Sequence, residues 1–411
     1  MQRKTMNMSL IEKGNHFEDR YKGSFAWTAV LTGSTALSAL FMFLVHVIAV
    51  RILKTEQYGE FSSAIALVGI VGVAASSIQA ATVHRVKNVN NDHAVIISLK
   101  IEFMFLGLVS ISLGCLAFFL IGVSLSTAFL LVIWVPAAVM IARVNGELQG
   151  REIQTVLHGT TAIIAAATLI LSSVVLGLWT DVKSLLIARL AVTILFSVYL
   201  LRALNVPIKN GLRFINAKLI HSTVLVTTMW FAANMDVLLS RAALGKVENG
   251  EIAIAAMLVN SVLLVPGLVA AVLFPRIIEH RNNKIKLKRL LLRAICFSAF
   301  VQFLMAVMLI VLSEHLVDWL AGPNHNEAIK IVTPLSLAYI PLGMSIVVAQ
   351  FILAIGNLRH SLMYMFLTMG VAVILLNINH DATAFVQMLL GLSCVLVITL
   401  IGISIHRIVR I

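Results

Sequence analysis

The chain is dominated by apolar runs too long to be buried in an ordinary globular core. They fall near 24–50, 59–83, 94–121, 125–142, 154–179, 184–204, 214–240, 251–275, 290–313, 329–356, 361–378 and 383–405. As a helix, each is long enough to cross roughly 30 Å of hydrocarbon. Lipid offers backbone amides and carbonyls no partner, so a segment inside it must satisfy them internally, and these runs read as helices. Composition agrees: 60% of the 411 residues are hydrophobic and 12% are charged, against about a quarter charged in soluble domains. The expected fold class is all-α, a polytopic membrane protein of about twelve transmembrane helices.

The net charge of +13 suggests nucleic acid only until its placement is read. With the N-terminus in the cytoplasm, the cytoplasmic segments carry 23 of the 31 lysines and arginines, the outer loops 6, and Lys100 and Arg189 lie inside spans. That is the bias that orients membrane proteins, and it puts both termini in the cytoplasm. Nucleic acid has no place in the account. The runs Arg281–Arg289 and Gln2–Lys4 read as anchors to an anionic lipid surface. The first 22 residues are polar and the run behind them is too long for a signal peptide core, so insertion through the first span is expected. Cys115, Cys296 and Cys394 sit in apolar spans with no pairing pattern and read as small packing residues.

Absences narrow the function. The Gly245-Lys246 pair is followed by Val247 and opens no phosphate loop, so ATP is not the direct energy source. No His-Glu-x-x-His, Cys-x-x-Cys or Asp-rich diphosphate motif occurs, and neither cofactor nor metal is called for. The longest outer loop, expected at 314–328, leaves no room for a catalytic domain outside the membrane.

The informative residues are therefore the polar ones within the spans, since a charge at mid-bilayer costs about 2.5–3.5 kcal/mol and is kept where it faces a bundle interior. At 1.5 Å per residue, Arg189 lies roughly 9 Å below the outer surface and Asp236 roughly 7–8 Å below it. Arg51 ends the first span on that side, and Arg241 stands at the end of the seventh. Lys100 lies about seven residues in from the cytoplasmic face, with Glu102 beside it as the one acid expected inside the first six spans. Two readings follow: an electropositive cavity that holds an anionic group, or arginines that snorkel to headgroups with Asp236 pairing to one of them. Pro136, Pro266, Pro334 and Pro341 lie inside spans, where each removes a helical amide and bends or breaks the helix.

An internal echo sets the organisation. Residues 59–86 and 250–277 align without a gap, with eight of 28 positions identical. Both copies open with Gly-Glu (Gly59, Gly250) on the outer side and reach an arginine (Arg85, Arg276) on the cytoplasmic side. A shift of six spans preserves direction, so the expected repeat is parallel. The expected domains are a tail at 1–23, an N-lobe at 24–207 and a C-lobe at 208–411, six helices each.

Several short motifs resemble a known family. Val50-Arg-Ile-Leu-Lys-Thr-Glu-Gln-Tyr-Gly-Glu-Phe61 resembles the first-loop pattern of polysaccharide and O-antigen repeat-unit flippases, although Glu60 interrupts the family's Gly-aromatic step. Asn145-Gly-Glu-Leu-Gln-Gly-Arg151 resembles the signature after its fourth span, Asn234-Met-Asp236 its seventh-span Asn-x-Asp, and Leu273-Phe-Pro-Arg276 the end of its eighth. Ala354-Ile-Gly-Asn-Leu-Arg359 fits the turn after its tenth span, so the likeness runs over most of 24–406. It implies the multidrug/oligosaccharidyl-lipid/polysaccharide (MOP) exporter superfamily, with two six-helix lobes around a central cavity that opens alternately to either side.

By that resemblance the cargo is an undecaprenyl-diphosphate-linked oligosaccharide, moved to the periplasmic leaflet of a bacterial inner membrane at the expense of an ion gradient. The partners are that glycan, membrane lipids, and glycan polymerase or assembly proteins. Arg51 and Arg189 are the expected anion contacts, because a guanidinium pairs bidentately with phosphate oxygens. Lys100 helps approach from the cytoplasm. Asp236, with Glu102, is the candidate for ion coupling or for a structural pair. A drug or cation antiporter of the same superfamily is the alternative and is expected to carry acids in its first lobe. A membrane glycan polymerase or ligase is disfavoured by the missing outer loop.

Overall fold

The computed structural model describes residues 25–87, 99–203, 217–280, 283–355, 358–377 and 381–410, and every regular element among them is helical. In chain order the α-helices are α1 (Phe25–Ile52), α2 (Thr55–Lys87), α3 (Leu99–Phe119), α4 (Leu125–Gly150), α5 (Gln154–Leu178), α6 (Val182–Ala203), α7 (Ala217–Ala233), α8 (Met235–Ala243), α9 (Lys246–Val259), α10 (Leu264–Glu279), α11 (Lys284–Ala321), α12 (Asn326–Ile355), α13 (Leu358–Leu376) and α14 (Ala382–Arg410). Ten spans are long and apolar enough to cross a membrane as they stand. An eleventh is the pair His221–Ala233 and Met235–Ala243, bent by 63° at Asn234, and Leu106–Phe119 is a shorter apolar helix. Together they follow the twelve apolar runs in order.

The helices overrun those runs, and this corrects three expectations. First, α11 continues to Ala321, so the presumed outer loop shrinks to a turn around Gly322–His325. Its 38 residues make a rod of about 57 Å, whose first turns carry Lys284, Lys286, Lys288 and Arg289 on exposed positions. Arg281 lies outside the described residues. Second, α2 starts at Thr55 and α4 runs to Gly150, so Glu56 and Glu147 join Glu60, at the start of the 59–83 run, and Glu102 as acids on helices of the first six spans. Third, Cys115 and Cys296 are exposed and face outward instead of packing the interior, while Cys394 is half-buried.

The chain divides into two compact units. The first takes the described residues up to Ile52, Ala74–Phe118 and Ser124–Ile215, and so holds α1, the inner part of α2, and α3 to α6. The Asn145–Arg151 motif forms the last turns of α4 and its C-cap, and does not follow the helix as a loop. A Cβ on Gly146 would stand 2.6 Å from the Gln79 carbonyl oxygen, and one on Gly150 would stand 2.7 Å from Val86 Cβ. The pair, four residues apart, lets α4 lie against α2 at backbone distance, and Gln79 Nε2 donates to Gln149 Oε1 at 2.9 Å across the contact.

The second unit takes Leu53–Val73, Phe119–Val123 and the described residues from Asn216 onward. Its centre is α12, whose Leu335, Ala338, Tyr339 and Val347 are fully buried, and which packs most heavily on α14 and α11. Two spans around α12 are broken. The seventh bends at Asn234, where Asn234 Nδ2 donates to the Trp230 carbonyl at 2.9 Å. The eighth passes through a 3-10 turn at Asn260–Leu263 between α9 and α10. Pro266 lacks the amide that would serve the Val262 carbonyl, and buried Gln302 of α11 offers Nε2 to that oxygen at 3.5 Å and to the Tyr339 carbonyl at 3.2 Å. Broken helices survive in hydrocarbon where neighbours restore such bonds.

Candidate functional site

In the first unit the decisive residue is Arg189 of α6. Its guanidinium carbon lies 5.7 Å from the centre of the Trp134 ring of α4, within cation–π range. Trp134 is buried, and it stands two residues before Pro136, in the turn that this proline loosens. Nη1 of Arg189 is shut off from the molecular surface and has no hydrogen-bond partner among the described residues. No carboxylate ion-pairs with Arg189 among them either; a half-buried imidazole, His46 of α1, is near enough to feel its charge. Arg189 as a whole is half-buried, but a cation with a buried, idle donor is costly, and the arrangement fits an anion.

The other expected residues are distributed as follows. Arg51 closes the last turn of α1 on an exposed position of the same unit. Lys100 and Glu102 lie in the opening turns of α3, their side chains outside the described residues. Asp236 lies in the second unit, in the first turn of α8, where the amide dipoles of a helix start favour a carboxylate. Among the described residues it forms no ion pair with an arginine. Its Oδ2 accepts a hydrogen bond from the Tyr339 hydroxyl at 2.7 Å, and that hydroxyl stands 3.4 Å from Asn260 Oδ1 at the break in the eighth span. Among the described residues no cluster of three or more His, Cys, Asp or Glu side chains could hold a metal ion.

Arg241 is taken by Glu60, with Nη2 at 3.4 Å from Oε2, while Nη1 reaches the Glu56 carbonyl at 3.4 Å. Within the second unit, the first half of α2 is held to the other helices at three further points. The Gly59 and Gly250 backbones meet directly: a Cβ on Gly59 would stand 2.9 Å from the Gly250 nitrogen. Ser63 Oγ donates to the Val237 carbonyl at 3.3 Å, and Trp230 Nε1 donates to the Ala66 carbonyl at 3.3 Å. Sequence reasoning missed Trp134, Tyr339, Gln302 and the partner of Arg241. Trp134 and Tyr339 sit in apolar runs, where an aromatic ring signals only bulk. Glu60, the residue that interrupts the family motif, was the one visible sign of the Arg241 pair.

The family model for polysaccharide biosynthesis protein matches residues 47–330. The chain belongs to this polysaccharide biosynthesis family. Solved structures extend the likeness to nearly the whole fold of this family member. It is similar to a multidrug resistance MATE family transporter of the MOP superfamily in an inward-facing conformation, at 15% identity and a TM-score of 0.67, covering 90% of this chain and 94% of that one. It is also similar to the lipid II flippase MurJ in an inward closed conformation, at 16% identity and a TM-score of 0.64, covering 92% and 89%. A MOP superfamily transporter from Pyrococcus furiosus aligns at 13% identity and a TM-score of 0.52, covering 92% and 94%. No curated protein matches. At these identities the structures establish the fold, that of membrane transporters and flippases, and the family establishes the link to polysaccharide synthesis.

Proposed function

We propose that this family member is a flippase that carries an undecaprenyl-diphosphate-linked oligosaccharide from the cytoplasmic to the periplasmic leaflet of a bacterial inner membrane, and that it catalyses no chemical reaction. The observation that carries the reading is Arg189: a half-buried side chain on the tryptophan face, with no acid ion-paired to it among the described residues and a buried, idle Nη1. A diphosphate cannot cross hydrocarbon unassisted, since its charges lose hydration that a fixed cation must replace. The acids now found on the first six spans do not favour a cationic cargo, because Glu60 is neutralised by Arg241 and Glu147 Oε1 is held by Arg151. MurJ, a lipid II flippase with the same fold, gives a precedent for a lipid-linked cargo.

In this reading Arg51 supports Arg189 at the outer end of the first unit, Lys100 meets the headgroup from the cytoplasm, and Glu102 serves ion coupling or a structural pair. Asp236, cradled by Tyr339, takes up the proton or sodium ion that couples transport to a gradient. Both termini are cytoplasmic, and the lobes are 24–207 and 208–411, with the close Gly59–Gly250 crossing supporting a parallel repeat. A glycan polymerase or assembly proteins receive the product. The test is to delete the gene and locate lipid-linked oligosaccharide by leaflet. Accumulation on the cytoplasmic side, restored to export by wild type but not by Arg189→Ala or Arg51→Ala at equal abundance, is the expected result. Accumulation of unpolymerised units on the periplasmic side, or altered drug sensitivity with no accumulation, would overturn it.

A further inference from the structure

We infer that Trp134 is the positioning residue of the anion site: it holds Arg189 charged and correctly oriented without consuming the donors that the cargo needs. This rests on the reading of Arg189 as the diphosphate contact. A buried arginine is usually stabilised by a carboxylate, but a carboxylate occupies the N–H edge of the guanidinium and cancels its charge. An aromatic ring does neither. Its electron-rich face attracts the flat face of the cation and leaves the N–H fork pointing outward in the guanidinium plane.

The geometry has these features. Cζ of Arg189 lies 5.7 Å from the Trp134 ring centre. The ring is 6% exposed, so water does not weaken the attraction, and Nη1 remains without a partner. The two helices that carry the pair, α4 and α6, are packed along each other. The backbone of Arg189 is used as well, its carbonyl accepting a hydrogen bond from Thr193 Oγ1 at 2.9 Å. Trp134 lies nine residues into α4 and Arg189 seven residues into α6, about 14 Å and 10 Å from the ends at which these helices begin. At that depth the indole takes the place of water on one face of the guanidinium and leaves the donor at Nη1 unspent.

The experiment measures binding of farnesyl diphosphate, with farnesol as the uncharged control, to the purified full-length protein in detergent by calorimetry, alongside its melting temperature. Wild type is expected to bind the diphosphate and not the alcohol, and Arg189→Ala to lose it. Trp134→Phe keeps a π face and is expected within about threefold of wild type, whereas Trp134→Leu is expected to weaken binding about tenfold or more. Trp134→Glu is the sharpest variant: it supplies Arg189 with an acid partner, so the protein is expected to melt near wild type yet no longer bind the diphosphate. If Arg189→Ala abolishes binding while Trp134→Leu and Trp134→Glu bind as wild type, the role of Trp134 is refuted and the site stands. Arg189→Ala binding as wild type, or wild type failing to bind the diphosphate, refutes the site itself.

Discussion

Replacing Gly250 by alanine tests a close backbone crossing between α2 and α9. The new Cβ would lie 2.7 Å from the Thr55 carbonyl carbon and 2.6 Å from Thr55 Cγ2, where ordinary contacts run from 3.4 to 4 Å. One of those atoms is backbone, so no rotamer change can clear it, and α2 and α9 must part by roughly 1 Å. Overpacking of this kind costs about 1–3 kcal/mol, and with backbone on both sides the upper half of that range applies. Separation also strains the 3.4 Å Glu60–Arg241 pair and the Ser63 and Trp230 hydrogen bonds that flank it. The assay is thermal unfolding of detergent-solubilised protein, with Gly391→Ala as control, because a Cβ at Gly391 meets nothing within 4 Å. Gly391→Ala should be neutral or stabilising, since alanine is the better helix former by up to about 1 kcal/mol. If Gly250→Ala melts within a degree of that control, the close crossing and the argument built on it are wrong.

Other substitutions probe the polar contacts of the second unit. Glu60→Gln should destabilise by about 2–4 kcal/mol, because it leaves a guanidinium that is 2% exposed without its countercharge; the reversed pair Glu60→Arg with Arg241→Glu should recover much of the loss, and no recovery in the melting curve would dismiss the pairing. Gln302→Leu removes the donor for the Val262 and Tyr339 carbonyls, and should lower stability by about 1–3 kcal/mol; unfolding that matches wild type would contradict that role. Asp236→Asn should keep expression and cargo binding but remove the dependence of transport in proteoliposomes on an imposed ion gradient, and gradient-driven transport by the variant would exclude Asp236 as the coupling group. Arg151→Ala takes the countercharge from Glu147, whose side chain is 6% exposed against 35% for the arginine, and should lower stability by about 1–3 kcal/mol; a melting curve that matches wild type would show that this end of α4 does not depend on the pair.

The spans were legible because the hydrocarbon imposes a length and a composition on each of them, and twelve apolar runs carry that imprint. Span ends were less legible. Helices continue past the hydrophobic boundary into polar residues that composition cannot distinguish from loop, as α4 does from 142 to Gly150 and α11 does to Ala321. This is why Glu147 falls outside the 125–142 run, whereas Glu60 stands at the very start of the 59–83 run, where an acid reads as a span end. At the site, Arg189 and Asp236 stood out because charge inside a span is rare, yet their partners are a tryptophan and a tyrosine drawn from a different span.

The sequence by itself determined that the chain is a multi-span helical membrane protein, how its charge is distributed between the ends of those spans, and which few residues break the apolar rule. It could do so because these are one-dimensional consequences of the solvent. Only the tertiary structure decided what each of those residues meets. Gly59 and Gly250, 191 positions apart, meet as backbone against backbone; Arg241 goes to Glu60 and leaves Asp236 to Tyr339; Arg189 goes to a π face and keeps its charge. Such partners are fixed by helix packing across long sequence separations, and no pattern local to the chain encodes them.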